Sequence, residues 1–213
     1  FADLGNTVYV VGRTPEKIEK LKQGHMPFYE PGLEEVVKRN MSAHRLIFTV
    51  DYGEAIPQSE VVFIAVGTPP KPTGEADLTS VFAAAESVGK HLDGYTVVST
   101  KSTVPPGTNR KVGEIISRVK PEKAEFDIAS VPEFLREGTA VGDTMRPDRI
   151  VIGADNERAQ KTLIELHKSI SAPVVTSNVE TAEMIKYASN SLLSTKISFA
   201  NSLAFLSEKV GAD

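Results

Sequence analysis

The stretch Val61-Val-Phe-Ile-Ala-Val66, followed by Gly67-Thr-Pro-Pro70, says most about the fold of this 213-residue chain. An unbroken apolar run rich in β-branched residues predicts a strand buried on both faces, as in a parallel sheet covered by helices. The glycine and prolines that follow predict a loop at the end of that strand. The stretch therefore favours an α/β fold.

Short apolar strands alternate with helical segments on both sides of this stretch. We expect strands at residues 8–11, 46–49, 61–66, 97–99, 126–129, 149–153 and 174–175. We expect helices at residues 15–21, 33–39, 52–56, 78–92, 107–119 and 156–169, the first capped by Thr14. This alternation predicts a doubly wound, mainly parallel sheet, the Rossmann-like α/β architecture.

The segment from Val179 to Val210 contains neither glycine nor proline and predicts one long helix after the sheet domain. It is apolar on two adjacent faces, which is typical of a helix buried in a larger structure. Lys186 and Asn190 lie four residues apart and so share a face. Taken alone, Lys186 is better explained by a stem that covers apolar surface while its ammonium reaches water. We divide the chain into domains 1–176 and 177–213.

Composition excludes several classes of function. A net charge of -4 with interspersed signs argues against binding to nucleic acid or to a membrane surface. We see no apolar run of membrane-spanning length and no signal peptide, and we expect a cytoplasmic protein. With no cysteine and four scattered histidines, no metal site and no disulfide are expected.

Polar turns follow three of the expected strands, where doubly wound sheets bind their ligands. The hydroxyls of Thr68, Ser102 and Thr103 can bind a phosphate or a sugar, although hydroxyls also cap helices. The third turn, Ser130-Val-Pro-Glu-Phe-Leu-Arg-Glu-Gly138, carries two carboxylates beside two large apolar residues. It can be a site or a solvated turn, and Phe134 and Leu135 favour a site.

Six segments in order resemble the N-terminal part of the nucleotide-sugar dehydrogenases, the UDP-glucose/GDP-mannose dehydrogenase family. They are Tyr29-Glu-Pro-Gly-Leu33, Val66-Gly-Thr-Pro69, Lys101-Ser-Thr-Val-Pro105, Pro132-Glu-Phe-Leu-Arg-Glu-Gly138, Arg146-Pro-Asp-Arg149 and Lys186-Tyr-Ala-Ser-Asn190. The resemblance implies NAD-dependent, two-step oxidation of UDP-glucose to UDP-glucuronate through a thioester on a cysteine. GDP-mannose oxidation, a β-hydroxyacid dehydrogenase and a non-catalytic nucleotide-sugar-binding or assembly module are the alternatives.

The resemblance also implies roles for individual residues. Glu133 is the expected acid/base, Lys186 stabilises charge on the C6 oxygen, Asn190 positions that oxygen, and Thr103 bonds near the reacting centre. Substrate-binding residues are expected to be Glu133, Phe134, Leu135, Arg136, Glu137, Lys186 and Asn190. Cofactor-binding residues are expected to be Arg13, Lys17, Val66, Gly67, Thr68, Pro69, Ser102, Thr103 and Glu137.

The chain departs from the family pattern in four ways. It lacks the Gly-rich phosphate loop and the catalytic cysteine segment, and Val131 replaces an asparagine. We therefore expect a natural protein that extends beyond both ends, with a first strand central in the sheet and a homodimer built on the long helix.

The fourth departure concerns the acidic residue that the family usually carries after its second strand. This chain has Gly12 at that position, followed by Arg13-Thr14. NAD remains the expected cofactor, and Arg13 and Lys17 make NADP possible.

Overall fold

A computed structural model, which describes residues 1–212, shows strands alternating with helices. The strands are β1 (Val8–Val11), β2 (Leu46–Thr49), β3 (Val61–Ile64), β4 (Tyr95–Thr100), β5 (Glu125–Ser130), β6 (Ile150–Ala154) and β7 (Val174–Ser177). The helices are α1 (Pro15–Lys22), α2 (Leu33–Ser42), α3 (Tyr52–Ala55), α4 (Thr79–His91), α5 (Thr108–Val119), α6 (Ala140–Met145), α7 (Glu157–His167) and α8 (Val179–Val210). Short 3₁₀ turns occupy Ala2–Leu4 and Ile56–Gln58.

The strands form two hydrogen-bonded groups. Five strands pair in the order β3-β4-β5-β6-β7, all parallel except the short antiparallel contact between β5 and β6. Strands β1 and β2 pair in parallel as a separate unit. Among the described residues, β1 and β3 thus each leave one edge without a strand partner. The expected α/β, mainly parallel architecture is confirmed, with its sheet in two parts.

Helices cover both faces of the larger sheet. On β4, Val98 faces a core formed with Val81 and Ile116 of α4 and α5. The preceding residue, Val97, faces the opposite core, which contains Leu163 of α7. Alternate residues of one strand thus enter two cores, which is the arrangement that parallel sheets require. Strand β3, predicted to be buried on both faces, is covered less completely than β4, since Val61 and Phe63 are only partly buried.

Some local expectations need correction. Strand β3 ends at Ile64 rather than at Val66, since its pairing with β4 ends at the Ile64–Thr100 pair. Helix α6 was not expected, and Thr14 precedes α1 without a side-chain capping bond. Helix α8 has the expected bounds, Val179–Val210.

In the part of the chain that the structure describes, no helix combines the length and the apolar character that a membrane span requires.

Candidate active site

The loop after β5 carries the carboxylate of Glu133. Its Oε2 accepts a hydrogen bond from the backbone N–H of Leu135 at 2.8 Å, which fixes the side chain at the start of the loop. Its Oε1 lies 3.3 Å from Nζ of Lys186 on α8, whose side chain is only 8% exposed. A buried ammonium needs such a partner, because an unpaired charge away from water is costly. The loop and the helix therefore meet at an ion pair.

Phe134 completes this junction on the apolar side. Its ring centroid lies 5.1 Å from Nζ of Lys186 and 4.5 Å from the guanidinium carbon of Arg149. Both cations are close enough for a favourable interaction with the electron-rich face of the ring. Arg149 therefore joins the site, although only its place in the Arg146–Arg149 segment pointed to it.

A second lysine, Lys101, lies near the pair at the end of β4. Its Nζ is 3.5 Å from the carbonyl oxygen of Val131, and it faces the ring of Phe63 at 5.6 Å. Burial lowers the pKa of Lys101, while the nearby Glu133 carboxylate raises it and Lys186 lowers it further. Lys101 and Glu133 both line a cavity of about 570 Å³. In the sequence, only the hydroxyls beside Lys101 indicate a site at this turn.

The hydroxyls of the neighbouring turns hold those turns together. Ser102 donates its hydroxyl to the carbonyl of Val66 at 2.6 Å, and Thr68 donates to the carbonyl of Thr103 at 2.9 Å. These hydroxyls can still accept a hydrogen bond from a ligand, since each keeps its lone pairs. Beside them Gly67 and Pro69 are exposed, so the β3–α4 loop presents open backbone.

Helix α8 is fastened to the sheet domain one turn before Lys186. The carboxylate of Glu183, 2% exposed, accepts hydrogen bonds from the N–H groups of Gly107 and Asn109 at 2.6 and 2.8 Å. The side-chain amide of Asn109 donates to the same carboxylate and to Thr100. Glu183 thereby occupies the positive end of α5, where a negative charge is favoured.

A long-range contact also holds the far end of the Glu133 loop. Glu30, in the loop between α1 and α2, accepts hydrogen bonds from the N–H groups of Gly138 and Ala140, both at 2.8 Å. Its place in the Tyr29–Leu33 segment drew attention to it, but no role was assigned.

Four other residues expected in the site are exposed. Asn190 is exposed on α8, Glu137 is exposed on the loop, and Arg136 pairs with Asp143. Leu135 is 39% exposed. Their assignment as substrate-binding or catalytic residues stays a prediction.

Two of the expected cofactor-binding residues, Arg13 and Lys17, follow β1 in the chain. Arg13 and Lys17 are exposed, and the guanidinium of Arg13 donates to the hydroxyl of Ser80 at 3.2 Å. Ser80 lies in the first turn of α4.

Within residues 1–212, no group of three or more His, Asp or Glu side chains is arranged to hold a metal.

Crossover helices on both faces of a parallel sheet, with polar loops at the carboxyl ends of β3, β4 and β5, define a Rossmann-like dinucleotide-binding domain. Family comparison narrows this class. The UDP-glucose/GDP-mannose dehydrogenase family, NAD binding domain, matches residues 1–171, and the central domain of the same family matches residues 180–213. The chain belongs to the UDP-glucose/GDP-mannose dehydrogenase family.

Individual relatives agree with this assignment. The chain is 50% identical to UDP-glucose 6-dehydrogenase TuaD of Bacillus subtilis and 47% identical to UDP-glucose 6-dehydrogenase of Rhizobium meliloti. These matches cover 100% of this chain but only 46% and 50% of the relatives. The chain therefore spans about half the length of the curated relatives it matches.

Two solved structures are similar throughout this chain. A UDP-glucose dehydrogenase from Pyrobaculum islandicum superposes with a TM-score of 0.96 at 44% identity. A GDP-mannose dehydrogenase from Pseudomonas aeruginosa superposes with a TM-score of 0.95 at 34% identity. Each match covers 100% of this chain and 50% of the other.

Proposed function

We propose that this chain is the N-terminal part of an enzyme that oxidises UDP-glucose to UDP-glucuronate in two NAD-dependent steps. The observation that carries the proposal is the contact between Glu133 and Lys186, 3.3 Å apart at the carboxyl edge of the sheet. Curated relatives at 50% and 47% identity are named UDP-glucose 6-dehydrogenase, which favours this substrate over GDP-mannose.

The proposed chemistry uses the ion pair directly. Oxidation of the C6 alcohol removes a proton from the oxygen and a hydride from the carbon. The Lys186 ammonium would stabilise the negative charge that develops on that oxygen, an effect that is large in a site shielded from water. Glu133 would accept or return the proton, directly or through a water molecule. Asn190 and Thr103 would position the oxygen.

NAD+, when bound, would accept the hydride from the sugar carbon. The loops at 66–69 and 101–103 fit a dinucleotide, because they meet at one edge of the sheet and expose Gly67 and Pro69. The chain contains no cysteine. In this proposal, the thiol for the second oxidation therefore comes from the part of the full-length protein outside these residues.

The domain division and the assembly are part of the proposal. We infer that residues 1–176 form the dinucleotide-binding domain, and that a further strand completes the sheet between β1 and β3. Helix α8 would open the central domain and form the core of a homodimer. The exposed apolar side chains of α8 support this, with Phe199 at 64% and Phe205 at 70% exposure. The cytoplasmic location stays a prediction.

The test is turnover by the full-length protein. We expect NADH formation with UDP-glucose, at two NADH per sugar, and little with GDP-mannose. Lys186→Ala should lower kcat by roughly 100- to 1,000-fold, the usual effect of losing an oxyanion-stabilising group. Lys161→Ala, at an exposed lysine on α7, is the matched control and should leave kcat unchanged. Preferred turnover of GDP-mannose would overturn the substrate, and absence of turnover with either sugar would favour the non-catalytic module.

Cofactor choice has its own test, because Gly12 replaces the carboxylate that normally bonds the ribose and repels a 2′-phosphate. We propose NAD as the preferred cofactor, with weak discrimination against NADP owing to Arg13 and Lys17. Arg13→Ala should lower kcat/KM for NADP about tenfold, the equivalent of about 1.4 kcal/mol, and leave the value for NAD unchanged. An unchanged NADP value would show that Arg13 does not contact the 2′-phosphate.

A further inference from the structure

We propose that Glu30 is a positioning residue, which holds the second half of the Glu133 loop in its ligand-binding shape. The inference rests on the function proposed above. Its basis is the pair of hydrogen bonds that Glu30 accepts from Gly138 and Ala140, 108 and 110 residues further along the chain.

The loop between β5 and α6 has a separate anchor at each end. At its start, Glu133 is held by Lys186 and by the N–H of Leu135. At its end, Glu30 holds Gly138 and Ala140. Because the two anchors share no atoms, the second can be removed while the ion pair stays in place. A mutation of Glu30 can therefore change the shape of the loop while the ion pair between Glu133 and Lys186 stays intact.

Local geometry explains why the second anchor is needed. Gly138 has a φ of +87°, a conformation that glycine adopts readily but that does not itself fix the chain. Ala140 begins α6, whose first N–H groups have no partner within the helix. One carboxylate satisfies both positions and carries the negative charge that a helix start favours. Without Glu30, these two N–H groups would turn to water and the loop would lose its fixed end.

Glu30 also comes from a different part of the fold. It precedes α2, which packs with α1 and β2 in a small core that contains Ile18, Val37 and Phe48. The exposed rings of Phe28 and Tyr29 come immediately before it, at 63% and 89% exposure. The two hydrogen bonds that Glu30 accepts, which we call the clamp, therefore join the β1–β2 unit to the loop that carries Glu137.

The clamp should act on binding more than on the chemical step. Arg136 and Asp143 hold the middle of the loop, but both lie on the loop and its own helix, so they cannot fix it relative to α2. Losing Glu30 would free Glu137 to Ala140 relative to the rest of the domain. Glu133 would keep its contact with Lys186. We expect higher KM values with nearly unchanged kcat.

The experiment compares Glu30→Gln and Glu30→Ala with wild type in the full-length protein. Glu34→Gln, at an exposed carboxylate that pairs with Lys38 on the surface of α2, is the matched control. We expect KM for UDP-glucose to rise about threefold in Glu30→Gln, which keeps one acceptor, and about tenfold in Glu30→Ala. In both variants kcat should stay within twofold of wild type, and Glu34→Gln should match wild type throughout.

Hydrogen exchange provides the direct structural measurement. The peptide that spans Leu135 to Met145 should exchange faster in both Glu30 variants, while peptides of β4 and of α8 before Asn190 should be unchanged. A fall in kcat with unchanged KM, or unchanged kinetics together with unchanged exchange, would overturn the inference.

The same measurements separate this inference from the proposed function. If wild type does not oxidise UDP-glucose, the proposed function fails, and the exchange data together with calorimetric titration of UDP-glucose then test the clamp. Faster exchange with weaker UDP-glucose binding would support it. Faster exchange with unchanged binding would overturn it, since Glu30 would then act on the fold alone.

Discussion

The two parts of helix α8 have similar composition and opposite surroundings. Before Asn190 the helix packs on the sheet domain, where Ala182, Glu183 and Lys186 are buried. From Asn190 onward it carries Leu193, Ile197 and other apolar side chains that are mostly exposed. We call these the inner part and the outer part of α8. The buried charges lie in the inner part and the exposed apolar groups in the outer part, so apolar content alone does not show which part of a helix is covered.

The difference follows from what each part can reach. The inner part is held by specific acceptors and donors, above all Glu183 at the start of α5. The outer part presents a wide apolar surface of the size that usually marks an interaction site. If this division is right, substitutions in the inner part should change the stability of the domain, and those in the outer part should change assembly.

Glu183→Ala should produce the largest effect. It leaves the partly buried N–H of Gly107 and the buried N–H of Asn109 without an acceptor, at a cost of about 3 kcal/mol in the free energy of unfolding. Thermal unfolding should then occur about 6 to 12 °C lower. The control is Glu208→Ala, at an exposed carboxylate in the outer part, which should leave Tm unchanged. Equal shifts in both variants would erase the distinction between the two parts.

Leu203→Asp together with Leu206→Asp should separate the proposed dimer. Both side chains are about half exposed, and each substitution enters a symmetric interface twice. We expect the dimer Kd to rise at least 100-fold, about 2.7 kcal/mol, as measured by analytical ultracentrifugation. Ser198→Asp together with Ser202→Asp, at two exposed serines of the same helix, adds equal charge for the control. A wild-type protein that sediments as a monomer would contradict the assignment of the outer part.

Gly153→Ala tests how closely the inner part approaches the sheet. A Cβ at Gly153 would lie 2.5 Å from the Cβ of Ala182 and 2.8 Å from the carbonyl oxygen of Asn178. The backbone of α8 would have to move, so we expect a loss of about 2 kcal/mol in chemical denaturation. Gly142→Ala, where an added Cβ meets nothing within 4 Å, should cost nothing. If both substitutions are neutral, the packing at β6 is looser than described.

Glu180→Gln should have the smallest effect, because its ion pair with Arg110 lies in solvent at the edge of the inner part. Hydrogen bonding to Arg110 lowers the pKa of Glu180 below its usual value. A lowered pKa stabilises the fold above the unfolded pKa, and this contribution is lost as pH falls through the folded value. At neutral pH the cost should therefore be under about 1 kcal/mol. In denaturation measured across pH, the difference from wild type should shrink as pH falls below the unfolded pKa of Glu180 and disappear below its lowered folded pKa. A cost that grows toward acid would reverse the sign.

The sequence predicted those features that depend on local pattern. Strand β2 and helix α8 have the expected bounds because apolar periodicity and the flanking residues mark them. Glu133 stood out because it follows a strand. Lys186 taken alone favours a surface lysine, and only the family resemblance implies a role for it in the site.

The features that the sequence missed depend on distant partners. Helix α6 has six residues including Gly142, and its start is held by Glu30 from 108 to 110 residues away. Glu183 likewise acts on backbone groups more than 70 residues away. No local window shows that a surface-looking carboxylate accepts a buried N–H from another element.

The carboxylates of Glu183 and Glu30 have a consequence for where phosphates can bind. The starts of helices at the carboxyl edge of such a sheet are natural positions for anions. At α5 and α6 those positions are already taken by the chain's own carboxylates, so a diphosphate there would meet negative charge instead of free N–H donors. The chain's own carboxylates thus neutralise the starts of α5 and α6. The N–H groups that bind the phosphates of a dinucleotide must therefore come from other positions.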